Sequence, residues 1–341
     1  MKKMIGMLLV LAMVLSCLMG SVSLADEKKL SVVVTIFPIY DWVRETVGDS
    51  GNAEITLLLD SGVDLHSYQP TAQDILKVSS ADLFVYVGGE SDEWVKDVLA
   101  SAMNPGLKAI SLVEAMGEDI KAEEIVEGME HEHSHGDADE HHDEDHDEEG
   151  HEHEEHDHEH EEEADEHVWL SLRNAQKLVQ VIADALAEID ADRAEAYQAN
   201  AATYIEKLAA LDAQYAEAAA NAEIKTILFG DRFPFRYLAD DYGLTYYAAF
   251  SGCSAESEAS FQTIVFLAQK VDELGLSAVL TIEHPKTRIA ETVVQATAAK
   301  DQKILAMDSM QGTTARDIQD GVTYLSVMES NLAVLRQALE K

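Results

Sequence analysis

The chain has 341 residues, of which 47% are hydrophobic, and a formal net charge of −41 at pH 7. This length allows roughly two domains, and the apolar fraction is sufficient for a buried core in each. So acidic a balance argues against nucleic-acid binding, which selects basic surfaces, and indicates a protein that meets cations.

The amino terminus has the three parts of an export signal. Lys2–Lys3 precede a mostly apolar run over residues 4–19, and Ser23–Leu24–Ala25 supply small residues for cleavage. We therefore predict a signal peptide over residues 1–25 and an extracytoplasmic location, with an uncleaved anchor as the alternative. The residues before Cys17 partly match a bacterial lipoprotein box, so a lipid anchor at Cys17 is a further alternative.

Residues 30–128 predict a first α/β lobe. Because the predicted strands alternate with helices, we expect a parallel sheet with crossover helices. The strands are predicted at Ser31–Phe37, Ile55–Leu59 and Asp82–Val87, and the helices after Pro38, after Thr71 and around Trp94–Ala102.

Residues 129–166 form a tract dominated by histidine and acidic residues. From residue 130 to 166 the tract holds eleven of the fourteen histidines and 21 acidic residues, with no lysine or arginine. Neutral imidazole is the commonest metal ligand, whereas a tract this polar has almost no apolar surface to bury. We predict a disordered loop that captures metal, and the alternative is a solvated, self-repelling acidic loop.

The second half repeats the α/β layout after a helical connection. Apolar residues at helical spacing predict helices over residues 168–221, including one of nearly thirty residues that acts as a rigid strut. Residues 223–341 predict a second α/β lobe. Its strands are expected at Ile224–Phe229, Thr245–Phe250, Ser277–Glu283 and Lys303–Asp308, and its helices near Phe261–Leu274, Arg288–Ala299 and Asp317–Leu339.

Outside the tract the histidines are His66, His167 and His284. His66 follows the loop after a predicted parallel strand, and ligands bind at that end of such sheets. His167 closes the acidic tract and begins an apolar segment. Cys253 is the one cysteine beyond Cys17, so no internal disulfide is expected, and this thiol is either a small buried residue or a ligand.

Three motifs resemble those of the zinc-binding component of bacterial ABC-type metal importers. His66–Thr71 (HSYQPT) is similar to a PHxYxPT signature, Gly89–Glu90 with Trp94 to GxxxExW, and His167–Ser171 (HVWLS) to HVWLSP, in which Leu172 replaces the final proline. The resemblance extends from about Leu30 to the end of the chain. It implies two α/β lobes joined by one long helix, with a metal bound in the cleft between the lobes.

The resemblance also implies a ligand set. His66 and His167 correspond to the first two family ligands, and Asp308 to the carboxylate that follows the last strand. The third family ligand is His in zinc receptors and Glu in manganese receptors. The corresponding stretch, residues 229–237, has no histidine, and Asp231 is its nearest usable ligand. His284, Glu256, Glu258 and Cys253 remain alternative ligands.

We therefore expect an extracytoplasmic receptor and not an enzyme, because the sequence has no GxSxG motif and no evident Cys/His nucleophile pair. The expected cargo is Zn²⁺, with Mn²⁺ or Fe²⁺ as alternatives, and the expected partners are an importer permease and its ATPase. The membrane is expected to be contacted only through that permease or a lipid anchor, and the receptor to be a monomer. Other hypotheses are a metal buffer or adhesion lipoprotein without transport, and a metallohydrolase with an open coordination position.

Overall fold

A computed structural model describes residues 29–129, 163–254, 258–283 and 287–340. The predicted signal peptide, Cys17, most of the His-rich tract, Glu256 and His284 lie outside these residues.

The first sheet has four parallel strands in the order β2-β1-β3-β4. The strand bounds are Leu30–Val34 (β1), Ala53–Leu57 (β2), Leu83–Tyr86 (β3) and Lys108–Ser111 (β4). The helices are Phe37–Val47 (α1), Ala72–Ser80 (α2), Trp94–Ala100 (α3) and Leu112–Met116 (α4). Strand β4 was not predicted, because its four residues contain only two apolar side chains, Ala109 and Ile110, and so give too short a hydrophobic signal.

Two helices connect the sheets: Leu172–Ile189 (α5) and Ala194–Asn221 (α6). At about 1.5 Å per residue, the 28 residues of α6 extend for roughly 42 Å. Near its start, Asn200 Nδ2 donates to the Thr46 carbonyl at the end of α1, and near its end the Tyr215 hydroxyl donates to the Met328 carbonyl. Since Thr46 and Met328 belong to the two halves of the chain, α6 packs against both, as the predicted strut requires.

The second sheet is also parallel, in the order β6-β5-β7-β8. The strand bounds are Thr226–Phe233 (β5), Thr245–Ser251 (β6), Ala278–Thr281 (β7) and Lys303–Ala306 (β8). The helices are Arg236–Tyr242 (α7), Phe261–Leu274 (α8), Arg288–Ala296 (α9), Ala315–Gln319 (α10) and Tyr324–Leu339 (α11).

Two features of the second half differ from the sequence-based expectation. Strand β5 continues four residues beyond the predicted end at Phe229, with a register shift against β6 between Phe229 and Arg232. The predicted helix Asp317–Leu339 is two helices, separated where Gly321 adopts a φ of 92° and Thr323 caps α11. Among the described helices, none has the combination of length and hydropathy that a membrane crossing needs.

Candidate metal centre

The residues with ligand chemistry follow strands of both sheets. A 3-10 turn, Leu65–Ser67, carries His66 after β2, and a second, Glu90–Asp92, carries Ser91 after β3. Cys253 follows β6. Because the strands of each sheet are parallel, these loops emerge at the carboxyl ends, where α/β folds bind ligands.

His66 and His167 meet through their ring nitrogens. The two Nε2 atoms lie 3.3 Å apart, although 101 residues separate the histidines in sequence. The side chain of His167 is fully buried and that of His66 is 12% exposed. His167 is fixed by the segment that follows it, since Val168, Trp169 and Leu170 are completely buried.

Each histidine has a partner on its other nitrogen. His167 Nδ1 lies 2.9 Å from Asp165 Oδ1, and the same oxygen accepts the His167 backbone N–H. Because a carboxylate only accepts, His167 carries its proton on Nδ1 and directs the Nε2 lone pair towards His66. His66 Nδ1 lies 2.8 Å from Ser91 Oγ. Both rings are therefore oriented by a second layer of hydrogen bonds, as metal-binding histidines are.

His66 is held in its neutral form. Burial, and then the positive charge that His167 would carry, lower the pKa of His66 to about 3, and Arg232 acts in the same direction. A neutral imidazole is the form that binds metal. Burial disfavours the charged form of this side chain, so His66 stays neutral at a pH where a solvent-exposed histidine would be protonated.

Cys253 completes a compact group with the two histidines. One ligand atom from each of His66, His167 and Cys253 lies within 4.8 Å of the others. Among the described residues, these three form the group of His, Cys, Asp or Glu side chains that could hold a metal ion. Burial, followed by the negative charges of Glu123, Asp165 and Glu166, raises the pKa of the Cys253 thiol. A bound divalent cation reverses that effect, since a coordinating thiol loses its proton.

The backbone before Cys253 passes directly over the His167 ring. A Cβ atom on Gly252 would lie 2.9 Å from His167 Cε1 and 3.0 Å from the Phe233 carbonyl oxygen. Only glycine fits this approach without displacing the ring or the strand. On the other side, the Cys253 N–H donates to Glu123 Oε1 at 3.0 Å. These contacts fix the loop that presents the thiol.

Asp231 does not join the three-residue group. It lies within β5 rather than in a loop after it, because the strand extends to Phe233. Its Oδ1 accepts the Arg232 N–H at 2.9 Å and its Oδ2 accepts the Ile282 N–H at 3.3 Å. The carboxylate is thus engaged with backbone donors, and its role as a ligand stays a prediction.

Asp308 follows β8 and also lies outside the group. Its Oδ1 accepts the Met310 N–H at 2.7 Å, and burial, followed by the negative charge of Glu283, raises its pKa to about 6. The loop is tied to the His167 segment, since the buried Trp169 indole N–H donates to the Ser309 carbonyl at 2.9 Å. Asp308 therefore stays a predicted ligand on a loop that is connected to His167.

Sequence reasoning missed three residues that surround the histidines. Asp165 orients His167, Ser91 contacts His66, and Arg232 reaches Asp64 from the second sheet. The available signal was the position of Asp165, two residues before the histidine that begins an apolar segment. Among the alternative ligands, Glu258 is an exposed residue.

The chain is similar to known proteins over most of its length. A family model described as "Zinc-uptake complex component A periplasmic" matches residues 32–338. The "Zinc-binding lipoprotein AdcA" of Streptococcus pneumoniae is 32% identical over 329 residues, which cover 95% of this chain but 60% of that protein. The chain therefore spans less than two thirds of the length of that relative.

One further relative, and one domain of AdcA itself, are matched over nearly their whole length. The "High-affinity zinc uptake system protein ZnuA" of Bacillus subtilis is 32% identical over 317 residues, which cover 92% of this chain and 90% of that protein. The crystal structure of the Zn(II)-bound ZnuA-like domain of Streptococcus pneumoniae AdcA superposes with a TM-score of 0.68 at 29% identity, covering 92% of this chain and all of that domain. The chain belongs to the ZnuA family, described as component A of zinc-uptake complexes.

Proposed function

We propose that this chain is an extracytoplasmic receptor that binds Zn²⁺ and delivers it to an ABC-type importer. The observation that carries the proposal is the pair of Nε2 atoms of His66 and His167, which lie 3.3 Å apart in a nearly buried setting. In an ideal tetrahedral site with Zn–N bonds of 2.0–2.1 Å, two ligand nitrogens lie about 3.3–3.4 Å apart. The observed spacing fits two ligands of one zinc ion.

The surroundings of the pair support the same chemistry. Asp165 and Ser91 hold the rings from their outer nitrogens, and burial keeps His66 neutral. Asp308 is the predicted carboxylate ligand from the second lobe, and Asp231 is a second predicted carboxylate. Two imidazoles with carboxylates suit zinc, and they also suit Mn²⁺ or Fe²⁺, which remain the alternative cargo.

The His-rich tract is the proposed capture segment. It leaves the described chain at Met129 and returns at Glu163, where Glu123 N–H donates to the Glu163 carbonyl at 2.7 Å. The return point is therefore four residues before His167. A tract of weak ligands that ends beside a fixed site raises the local metal concentration there by proximity.

Membership of the family supports the proposed transport role and location. The two curated relatives are named for zinc binding and for high-affinity zinc uptake, and the family description names a periplasmic component. We propose that the loaded receptor, as a monomer, docks on a permease that a cytoplasmic ATPase drives. A metal buffer or adhesion protein of the same fold is the alternative.

Zinc titration calorimetry tests the binding part of the proposal. In a variant that lacks residues 131–161, we expect one tight zinc site to remain, because His66 and His167 are retained. His66→Ala and His167→Ala should each weaken that site by at least tenfold, whereas His133→Ala in the otherwise intact chain is the matched control. Loss of all tight binding on removal of the tract would contradict the assignment of the site.

Two further measurements separate the alternatives. Competition between Zn²⁺ and Mn²⁺ on the tract-deleted variant should favour zinc, and preference for manganese supports the alternative cargo. A strain that lacks the protein should grow poorly in zinc-depleted medium and recover with added zinc. Normal growth of that strain would favour a buffer or adhesion role over transport.

A further inference from the structure

We infer that the Cys253 sulfur is a zinc ligand, which makes the centre a mixed imidazole–thiolate site. This inference rests on the proposed function and specifies the third protein ligand of the proposed zinc site. The carrying observation is the group formed by His66, His167 and Cys253, whose ligand atoms lie within 4.8 Å of one another. The sulfur comes from the second sheet, whereas His66 comes from the first.

The distances suit one tetrahedral ion. With Zn–N bonds of 2.0–2.1 Å and a Zn–S bond of about 2.3 Å, each nitrogen lies roughly 3.6 Å from the sulfur. Closure from 4.8 Å or less to that value needs a small movement of the ligand atoms. The two nitrogens already have the spacing of a tetrahedral pair.

Contacts on both sides of Cys253 hold its sulfur beside the two histidines. Gly252 lets the backbone contact the His167 ring, and Glu123 accepts the Cys253 N–H. Arg232 Nη1 lies 3.4 Å from the Ser254 carbonyl oxygen and donates to it. The residues on both sides of the thiol are therefore fixed by contacts that come from separate elements.

Arg232 lies in the stretch where the family resemblance places the third ligand. The stretch that carries this ligand in relatives has no histidine here, and Arg232 at the end of β5 forms an ion pair with Asp64 instead. The guanidinium never loses its proton and cannot bind a cation. The next loop on the same edge, after β6, supplies the missing donor through Cys253.

A thiolate ligand predicts selectivity as well as binding. Soft sulfur ligands favour zinc, whereas manganese prefers oxygen ligands. A site of two imidazoles and one thiolate should therefore reject Mn²⁺, and replacing the sulfur with a hydroxyl should reduce the discrimination between the two metals.

Cobalt spectroscopy tests the inference directly. The chain from Asp26 to Lys341 contains every described residue, and Cys253 is its one cysteine. With up to one equivalent of Co²⁺, we expect an intense sulfur-to-cobalt charge-transfer absorption in the near ultraviolet, which histidines and carboxylates of the tract cannot produce. This absorption should disappear in Cys253→Ser and be lost or displaced in His66→Ala.

Zinc measurements give the second test. X-ray absorption at the zinc edge, with one equivalent of Zn²⁺, should show one sulfur neighbour at about 2.3 Å. Cys253→Ser should weaken zinc binding by at least tenfold with little effect on Mn²⁺ affinity, and Cys253→His should restore tight zinc binding. Because the first measurement uses the unaltered residue, it does not depend on how well the variants fold.

The outcomes separate this inference from the proposed function. A tight zinc site that depends on His66 and His167 but shows no sulfur neighbour and no charge-transfer absorption would overturn the role of Cys253 and leave the receptor proposal intact. A zinc affinity of Cys253→Ser within twofold of the unaltered chain would overturn it as well. Absence of any tight zinc site would overturn both.

Discussion

Arg232 at the end of β5 donates to Asp64, with Nη2 and Oδ2 2.6 Å apart, and so joins the two sheets beside the candidate metal centre. The side chains are 13% and 16% exposed. Burial by itself raises the pKa of Asp64, yet the charge and hydrogen bond of Arg232 hold that pKa below its usual value. The same carboxylate accepts the His66 N–H through Oδ1, so the ion pair also supports the first ligand turn.

Breaking this pair should destabilise the fold. We expect Asp64→Asn or Arg232→Met to lower the free energy of unfolding by about 2–3 kcal/mol each, because either change leaves a poorly solvated charge without its partner. The double variant should lose less than the sum, with a coupling energy on the order of 1–2 kcal/mol in denaturant unfolding. The Lys177–Asp119 pair has the same 2.6 Å separation but is 55% and 61% exposed, so the same cycle there should give under about 1 kcal/mol. Additive effects at Asp64 and Arg232 would contradict this prediction.

The buried Trp169 indole should stabilise the Asp308 loop. In Trp169→Phe, the buried Ser309 carbonyl loses its N–H donor, so we expect the variant to be less stable than Trp42→Phe by about 1–2 kcal/mol. Trp42 is the matched control because it is also fully buried, but its Nε1 makes no hydrogen bond to any described residue. Thermal unfolding of the two variants measures the difference. Equal losses would show that the hydrogen bond contributes nothing.

Gly252→Ala should weaken zinc binding. The added methyl group would lie 2.9 Å from His167 Cε1, so either the ring or the Cys253 loop must shift. Disturbing the residues that orient metal ligands typically lowers metal affinity 10- to 100-fold. We expect a loss of zinc affinity in that range by calorimetry. Gly106→Ala is the control, because the nearest atom to its added carbon is 3.4 Å away and belongs to a side chain. Unchanged affinity in Gly252→Ala would contradict the close approach.

Asp41 should make stability depend on pH. Burial is the main reason that its pKa is raised from the ordinary value of 3.8 to about 6 in the folded chain. A carboxyl with a raised folded pKa contributes stability that is fully present below pH 3.8 and is lost as the pH rises through about 6. The total change is on the order of 3 kcal/mol.

Asp41→Asn removes this titration. We expect the stability difference between the unaltered chain and Asp41→Asn to change by most of that amount from pH 4 to pH 7, with the unaltered chain relatively more stable at the acid end. Tyr324 N–H donates to Asp41 at 2.9 Å and Arg44 forms an ion pair with it, so the amide keeps the first contact and loses the second. Asp49→Asn, at an exposed carboxyl of the same lobe, is the control. A constant difference across this range would contradict the raised pKa.

The elements themselves follow from local sequence. The helix Phe261–Leu274 has the predicted bounds, and the capping box of Thr71 and Asp74 is present. These features are predictable because they depend on side chains within one or two turns. The parallel, two-lobed architecture follows from the alternation of strands and helices, and the pairing of His66 with His167 follows the family motifs.

Tertiary structure decided which side chains lie near His66 and His167. Sequence marked Asp231 as a candidate third ligand because it is the acidic residue nearest to the family position, but the extended β5 engages its carboxylate with backbone donors. Cys253 lies beside the histidine pair because the loop after β6 in the second sheet meets the loop after β2 in the first, although the two loops are distant in sequence. Local patterns determine which segments become strands and helices, whereas the packing of two lobes on one long helix determines which loops meet.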